Sequence, residues 1–527
     1  MSIRINPKTG LITLHTAHTS YQMWADSHGV VHHLYYGPSV GESDLRGVEY
    51  YSDCGFSPQP AGMDRQRDYS LDTLCQEYTG SGVGDFRIGC LRLSGPDGSR
   101  AADFRFVSAE AVPGKYSLPG LPAAWADSGA CETLRLKLRD SVNGLAVTLL
   151  YGVFEAADVI TRSALFENEG SGTIRLDKAA SACLDLPFGP WELIHFQGRH
   201  CMERLPERAP LGHSVQTLRS ARGASSHQHN PFAILAAPHT TEEAGDCLGA
   251  MLVWSGSFKI ECEVSQMQST RLVAGVSDDD FSWTLEPGGQ FAAPEVLFSY
   301  SDTGLSELSA RYHHFLQHNI IRSVWRDKPR PILINNWEAT YMDFDGQRIL
   351  DIARQARELG VEMLVLDDGW FGQRSDDASG LGDWQVNEQK LGCTLDELIG
   401  KVREMGLLFG LWIEPEMVCA NTALYAAHPD WALTIPGRAP TTGRSQLVLD
   451  LGRPEVVDYL YDIFHRLLAG HDIAYIKWDM NRNMTDVYSR VLPPERQGET
   501  SYRYMLGLYD LLGRLTPVFP EMLYEEC

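Results

Sequence analysis

Ala474-Tyr-Ile-Lys-Trp-Asp-Met-Asn-Arg482 is the stretch on which the reading of this chain turns. A short apolar run, Ile473 to Ile476, stops abruptly at Lys477, Trp478, Asp479 and Asn481. In a parallel α/β barrel a strand buries its length and presents polar side chains from its carboxyl end, where the active site lies. Lys477 and Asp479 are two residues apart, so both point to the same side of the strand. A cation beside a carboxylate keeps it ionised, the state a nucleophile requires. Asp479 is therefore the candidate nucleophile; the plain alternative is a strand-end aspartate capping the next turn. Asn481 is placed to bond a substrate hydroxyl. A carboxylate set among a cation, an aromatic face and an amide suits sugar binding and displacement at an anomeric carbon.

Working backwards, the same grammar repeats from Pro331. Ile349, Ile352, Ala353, Ala356 and Leu359 share one helical face, and Gly360 stops the helix. Met363-Leu-Val-Leu follows and ends in Asp367-Asp368-Gly369-Trp370. Thr394 and Glu397 fit a capping box for a helix closed by Gly406, and Leu407–Ile413 then ends in Glu414. Pro454 can open a helix with Val457, Leu460, Phe464 and Leu467 facing inward and Gly470 closing it. Repeated helix–glycine–strand–carboxylate units imply a parallel sheet with its chemistry at the carboxyl edge. Six candidate strands can be counted, near 332–337, 362–366, 407–413, 446–450, 473–478 and 522–526. A closed barrel of this type needs eight.

Before residue 305 the period is two. Leu134, Leu136 and Leu138 alternate with Arg135, Lys137 and Arg139, and Leu145, Val147, Leu149 and Tyr151 alternate again beyond an Asn143-Gly144 turn. That is a hairpin with one buried face. Similar runs, such as Ile160–Glu167 and Ala250–Lys259, make a large antiparallel sandwich the expected fold. Ser306 to about Trp325 reads as a connecting helix.

Several side chains other than Asp479 and Lys477 sit where chemistry is done. Asp367 and Asp368 offer two acceptor-only carboxylates that can hold two hydroxyls; an N-cap with a solvated charge, or a metal, are the other readings. No histidine or third carboxylate stands at ligand spacing, so no metal is expected. Trp337 and Trp412 close strands and could sandwich a pyranose or simply fill the core. Arg444, in a Gly-Arg-Ser-Gln turn, is a hydroxyl donor or an ordinary surface residue. His313, His314 and His318, like His227 and His229, read as structural.

Composition narrows the class. The 527 residues are 43% hydrophobic, 10% aromatic and 22% charged, enough for sizeable cores and more than one domain. With 45 basic against 69 acidic residues, the charge of -24 argues against nucleic acid and anionic membranes as partners. Eleven Cys without a CxxC pair argue against a disulfide framework or a zinc ribbon. The N-terminus has no apolar leader and no run is long enough to span a bilayer, so a cytoplasmic location is expected.

Six motifs then resemble glycoside hydrolase family 36: Asn335-Asn-Trp-Glu-Ala-Thr-Tyr341, Leu366-Asp-Asp-Gly-Trp-Phe371, Ser379-Gly-Leu-Gly-Asp-Trp384, Leu411-Trp-Ile-Glu-Pro-Glu-Met417, Lys477-Trp-Asp-Met-Asn-Arg482 and Tyr504-Met-Leu-Gly-Leu-Tyr509. Ser70-Leu-Asp-Thr-Leu74, Gln76-Glu-Tyr78 and Ser225-Ser-His-Gln-His-Asn-Pro231 extend the likeness through the sandwich. The chain is most similar to bacterial α-galactosidases that cleave raffinose- and melibiose-type sugars. The resemblance implies an N-terminal all-β supersandwich (1–305), a helical linker (306–330) and an α/β (β/α)8 TIM-type barrel (331–527) whose C-terminal part is missing. It implies hydrolysis of terminal α-galactose with retention, through a galactosyl–Asp479 intermediate, with no cofactor. Asp367 and Asp368 are implied to hold the galactose 4- and 6-hydroxyls. Lys477, Arg444 and Asn481 would bind other hydroxyls, Trp337 and Trp412 would shape the pocket, and Cys527 would lie near the 2-hydroxyl. Asp53 matches a sandwich residue that reaches an active site across a subunit interface, so a homo-oligomer, a tetramer by resemblance, is expected.

The chain departs from the pattern twice. Gly198-Arg199-His200 stands where the family has a tryptophan after the glycine, at the outer subsite. The segment carrying the acid/base aspartate, expected after Cys527, is absent, so the chain is expected to be a fragment and, as it stands, a poor hydrolase. An α-galactosyl transferase of the same fold, an α-N-acetylgalactosaminidase and a non-catalytic galactose-binding protein are the alternatives. Cys527 and Asn481 leave little room for an acetamide.

Overall fold

The computed structural model describes residues 2–53, 56–60, 66–187 and 189–527. The chain folds as two compact units, Met1–Ile321 and Arg322–Cys527.

The first unit is built from antiparallel sheets of ten, six and four strands. The hairpin read from period-two alternation lies within the ten-stranded sheet. Glu132–Arg139 pairs with Leu145–Phe154, Leu134 opposite Tyr151 and Leu136 opposite Leu149. Leu134, Leu136 and Leu149 are sealed from solvent while Arg135 and Arg139 face out. The run 250–259 is split, because Trp254–Ser257 turns the chain between strands Cys247–Val253 and Phe258–Val264. Helix Leu305–Phe315 sets Leu308, Tyr312 and Phe315 against Phe154, Ile234 and Leu297 of the core. Glu77 is one of several carboxylates, with Glu295 and Asp185, that lie wholly inside the unit. It accepts hydrogen bonds from Tyr21 (2.9 Å) and Tyr151 (2.5 Å), and pairs with Arg162 (3.1 Å) and His33 (2.7 Å).

The second unit carries five parallel strands in chain order: β1 (Leu333–Asn335), β2 (Met363–Leu366), β3 (Leu408–Ile413), β6 (Tyr475–Trp478) and β7 (Leu523–Glu526). The candidate strand near 446–450 is not among them. It shortens to β5 (Gln446–Val448) and pairs antiparallel with β4 (Met417–Cys419), off the main sheet. A three-residue apolar stretch gives no sign of which neighbour it will meet, which is why it passed for a barrel strand.

Helices α1 (Gly346–Glu358), α2 (Leu395–Glu404), α3 (Pro454–Gly470) and α4 (Thr500–Val518) connect the strands. The Thr394–Glu397 capping box forms in full, satisfying two otherwise orphaned amides at the start of α2. Gly360 and Gly406 end their helices at φ of 83° and 81°, whereas Gly470 stays helical. Leu359, assigned to the inner face of α1, follows its last turn and is 83% exposed.

Register sets the site. Val365, Gly410 and Tyr475 are lateral neighbours on β2, β3 and β6, and Trp412 lies beside Lys477 one layer nearer the carboxyl ends. A Cβ on Gly410 would stand 2.6 Å from the Tyr475 ring, so glycine there makes room for the aromatic floor.

A second close approach gives a stability test. In α4 a Cβ on Gly507 would collide with the Leu451 carbonyl oxygen, whereas Gly513 of the same helix faces open space. Alanine gains about 1 kcal/mol of helix propensity at either site, but overpacking at Gly507 costs about 1–3 kcal/mol. Urea unfolding is expected to show Gly513→Ala more stable than the parent and Gly507→Ala less stable.

Candidate active site

The polar layer begins where each parallel strand ends. Asp479, one residue past β6, is 7% exposed, and its amide donates to the Ile413 carbonyl (2.8 Å), holding it against the end of β3. Two side-chain donors converge on one of its oxygens: Trp412 Nε1 reaches Oδ2 at 3.0 Å and Asn481 Nδ2 reaches it at 2.5 Å. Among the described residues no N–H group donates to Oδ1. The carboxylate is thus held through Oδ2, with the Cys527 thiol in hydrogen-bonding reach of the same side chain.

Lys477 lies on the same side of β6, as period two requires. Its Nζ donates to Asp367 Oδ2 at 3.2 Å. Burial opposes its charge, but Asp367 and Asp479 outweigh burial and raise its pKa. Asp367 also accepts from Asn335 Nδ2 at 2.5 Å. Asp368 is gripped by Arg374, with Nε to Oδ1 at 3.0 Å and Nη2 to Oδ2 at 2.8 Å. Both aspartates are 2% exposed, and burial pushes the Asp368 carboxyl up in spite of Arg374. Each therefore already has a cationic partner. Among the described residues no group of three or more His, Cys, Asp or Glu is arranged to hold a metal.

The remaining sequence candidates fall as follows. Trp412 is 1% exposed and backed by Phe371, Trp370 and Trp384, so it orients Asp479 and offers no open stacking face. Trp337, partly exposed, sits in a helical turn just after β1 and meets Tyr341 edge-on at 5.3 Å. Arg444 pairs with Asp377 at 2.8 Å and, with Ser445, adopts positive φ (50° and 60°), a strained state for residues other than glycine. The Cys527 thiol, exposed in part, is pushed up to about 11 by burial and by Asp479, so it remains a protonated donor. Asp53 belongs to the first unit and pairs there with Arg67 at 3.1 Å.

Two buried acids were passed over. Glu414 directly follows β3, in the same grammar as Asp367 and Asp479, and that position was the available signal. Fully buried, it accepts from the Asn481 amide (2.7 Å) and from Gln446 Nε2 (3.3 Å). Burial lifts its pKa to about 8; the Asn481 bond opposes and the Asp479 charge reinforces the shift. Glu416 accepts from Trp478 Nε1 (3.0 Å) and Tyr504 Oη, and burial lifts it to about 7. Arg374 was also missed, although it is the single Lys or Arg between Asp368 and Lys390.

With this geometry in view, the chain can be set beside known proteins. Residues 29–286 match the glycosyl hydrolase family 36 N-terminal domain and 290–527 match the melibiase domain. The bifunctional α-galactosidase/sucrose kinase AgaSK of Mediterraneibacter gnavus is 49% identical over the whole chain, which spans 55% of that protein. The α-galactosidase AgaA of Geobacillus stearothermophilus is 46% identical over the whole chain, which spans 72% of it. The solved galactosidase domain of AgaSK superposes with a TM-score of 0.96 at 48% identity, over 100% of this chain and 72% of that one. An AgaA variant crystallised with raffinose gives 0.95 at 46% identity, over 98% and 72%.

The chain belongs to glycoside hydrolase family 36. At this level of identity its relatives are α-galactosidases.

The raised acids make stability depend on pH. An unfolded chain releases the Glu414 proton near the ordinary value of 4.5, but the folded chain keeps it to about 8. Between those values unfolding gains a proton-release term, so folded stability falls as pH rises. Glu414→Gln lacks that term. Chemical denaturation is expected to show the variant gaining on the parent steadily from about pH 5 to about pH 8, and a constant difference would contradict a proton on Glu414.

Proposed function

We propose that the full protein hydrolyses terminal α-linked galactose from raffinose- and melibiose-type oligosaccharides with retention, using Asp479 as nucleophile. The observation that carries this is the convergence of Trp412 and Asn481 on Oδ2 of Asp479. It holds Oδ2 with two N–H donors on the side of β6 that also carries Lys477, and no N–H group among the described residues donates to Oδ1. A retaining glycosidase needs such an oxygen to attack the anomeric carbon, and a second carboxyl about 5–5.5 Å away to protonate the leaving oxygen. Glu414 holds a proton but is sealed from solvent, so it does not serve as that acid.

Asp367 and Asp368 supply acceptors for galactose hydroxyls, while Lys477, Asn481, Arg444 and the Cys527 thiol supply donors. Trp337 and Trp412 bound the pocket, and Asp53 reaches an active site across a subunit interface. Among the described residues no helix is long and apolar enough to cross a membrane, and the ten described cysteines are all free thiols. Those thiols support a cytoplasmic location, and the exposed edge strand Met202–Pro210 suits packing against a second copy in a homo-oligomer. Fractionation of producing cells and sedimentation of the purified full-length protein check these two points; a secreted or strictly monomeric protein would contradict them.

The nucleophile is tested by trapping. A fluorinated α-galactosyl fluoride, whose deglycosylation is slowed, should add one hexosyl mass to the peptide containing Asp479, and Asp479→Asn should take no label. Label on another carboxylate, or full turnover of p-nitrophenyl α-galactoside by Asp479→Asn, would overturn the assignment.

A further inference from the structure

We propose that Arg374 and Asp377 are positioning residues that hold Asp368 and Arg444 in one chain of alternating charge, so that the two sides of the sugar grip are set together. The inference rests on the α-galactosidase reading and adds two residues to it.

The chain is continuous in space. Arg374, 1% exposed, takes both oxygens of Asp368 in a forked contact that fixes the plane of the carboxylate as well as its charge. Its Nη1 donates to the Ser379 carbonyl at 2.9 Å, tying the fork to the loop that follows. Its Nη2 lies 3.9 Å from Asp377 Oδ1, and the same oxygen accepts from Arg444 Nη2 at 2.8 Å. The order is Asp368, Arg374, Asp377, Arg444. The end members are the proposed sugar contacts; the middle members have no other evident task.

Stability does not account for the outer link. The Asp377 side chain is 53% exposed and that of Arg444 31%, and a pair this wet contributes ~0–1 kcal/mol. What the link does fix is direction. Arg444 leaves the backbone at positive φ, beside a second such residue, on a turn with no regular ladder of its own. Without Asp377 its guanidinium is free to swing.

The inner link sets charge. Asp368 faces Asp367 at the end of its own strand and Arg374 and Lys390 from the segment beyond. Glu414 and Cys419 face it from the next two strands and Arg444 from the far turn. Burial already favours the neutral acid, so removing Arg374 leaves a carboxyl that holds its proton to higher pH.

The test uses the full-length enzyme and p-nitrophenyl α-D-galactoside. Asp377→Ala should raise KM several-fold, roughly the cost of one hydrogen bond to a charged group, with kcat and the melting temperature unchanged. In an Arg444→Ala background the same substitution should add nothing. Arg374→Met should raise KM about tenfold to a hundredfold, less so as pH rises and Asp368 regains its charge, and Arg374→Lys should recover part of the loss. An Asp377→Ala effect that persists without Arg444, or no effect at all, overturns the proposal. If Arg374→Met fails to fold, the Asp377/Arg444 cycle decides alone. Galactose affinity by calorimetry on the same variants separates the two levels. A parent that binds galactose but turns nothing over leaves the positioning claim to be judged on affinity, while a parent that does neither sinks the functional reading and the positioning claim with it.

Discussion

Five carboxyl groups, Asp367, Asp368, Glu414, Glu416 and Asp479, are buried within one end of a single parallel sheet, and the architecture around them follows from the cost of keeping them there. A carboxylate taken out of water without partners costs several kcal/mol or gives up its charge. Two solutions are used side by side. Asp367 and Asp368 are matched with the cations Lys477 and Arg374. Glu414 and Glu416 receive neutral N–H and O–H donors, and burial pushes both carboxyls up. The first unit follows the same rule at Glu77, which is ringed by two tyrosines, an arginine and a histidine.

The sorting of these groups is done by the strands. Period two sends Tyr475, Lys477 and Asp479 to one side of β6 and Ile476 and Trp478 to the other, so the cation and the candidate nucleophile share a side and the indole of Trp478 reaches Glu416 from the opposite one. Trp412 occupies the matching position on β3 and turns its N–H to Asp479. Neighbouring strands therefore supply the charge and one of the two donors that orient it, and Asn481 just beyond β6 supplies the other. Arg444, by contrast, is brought in on a strained turn and depends on side-chain contacts to hold its direction.

That division also explains what could be read in advance. Apolar runs ending in charged residues gave the barrel strands and Asp367, Asp368, Lys477 and Asp479, because strand-end chemistry is local and period two is visible in any sequence. The Thr394 cap and the Asn143-Gly144 hairpin were legible for the same reason. Glu414 carried the same signal but was absorbed into a longer motif and given no role. Arg374 and Asp377 were illegible, since a forked contact six residues back along an irregular loop, and a further contact 67 residues away, have no period. Gln446–Val448 misled because a short apolar segment is compatible with either kind of sheet, and Leu359 because a face drawn over whole turns does not say where the last turn ends.

The paired donors on Oδ2 of Asp479 bear on departure as well as attack. If Oδ1 forms the bond to the sugar, Oδ2 becomes the carbonyl oxygen of a glycosyl ester while Trp412 and Asn481 go on donating to it. Donors at that oxygen withdraw electron density from the C–O bond and make the carboxylate a better leaving group when water arrives. One arrangement of an indole and an amide would then keep the ester from becoming a resting state, so turnover would not stall at its halfway point.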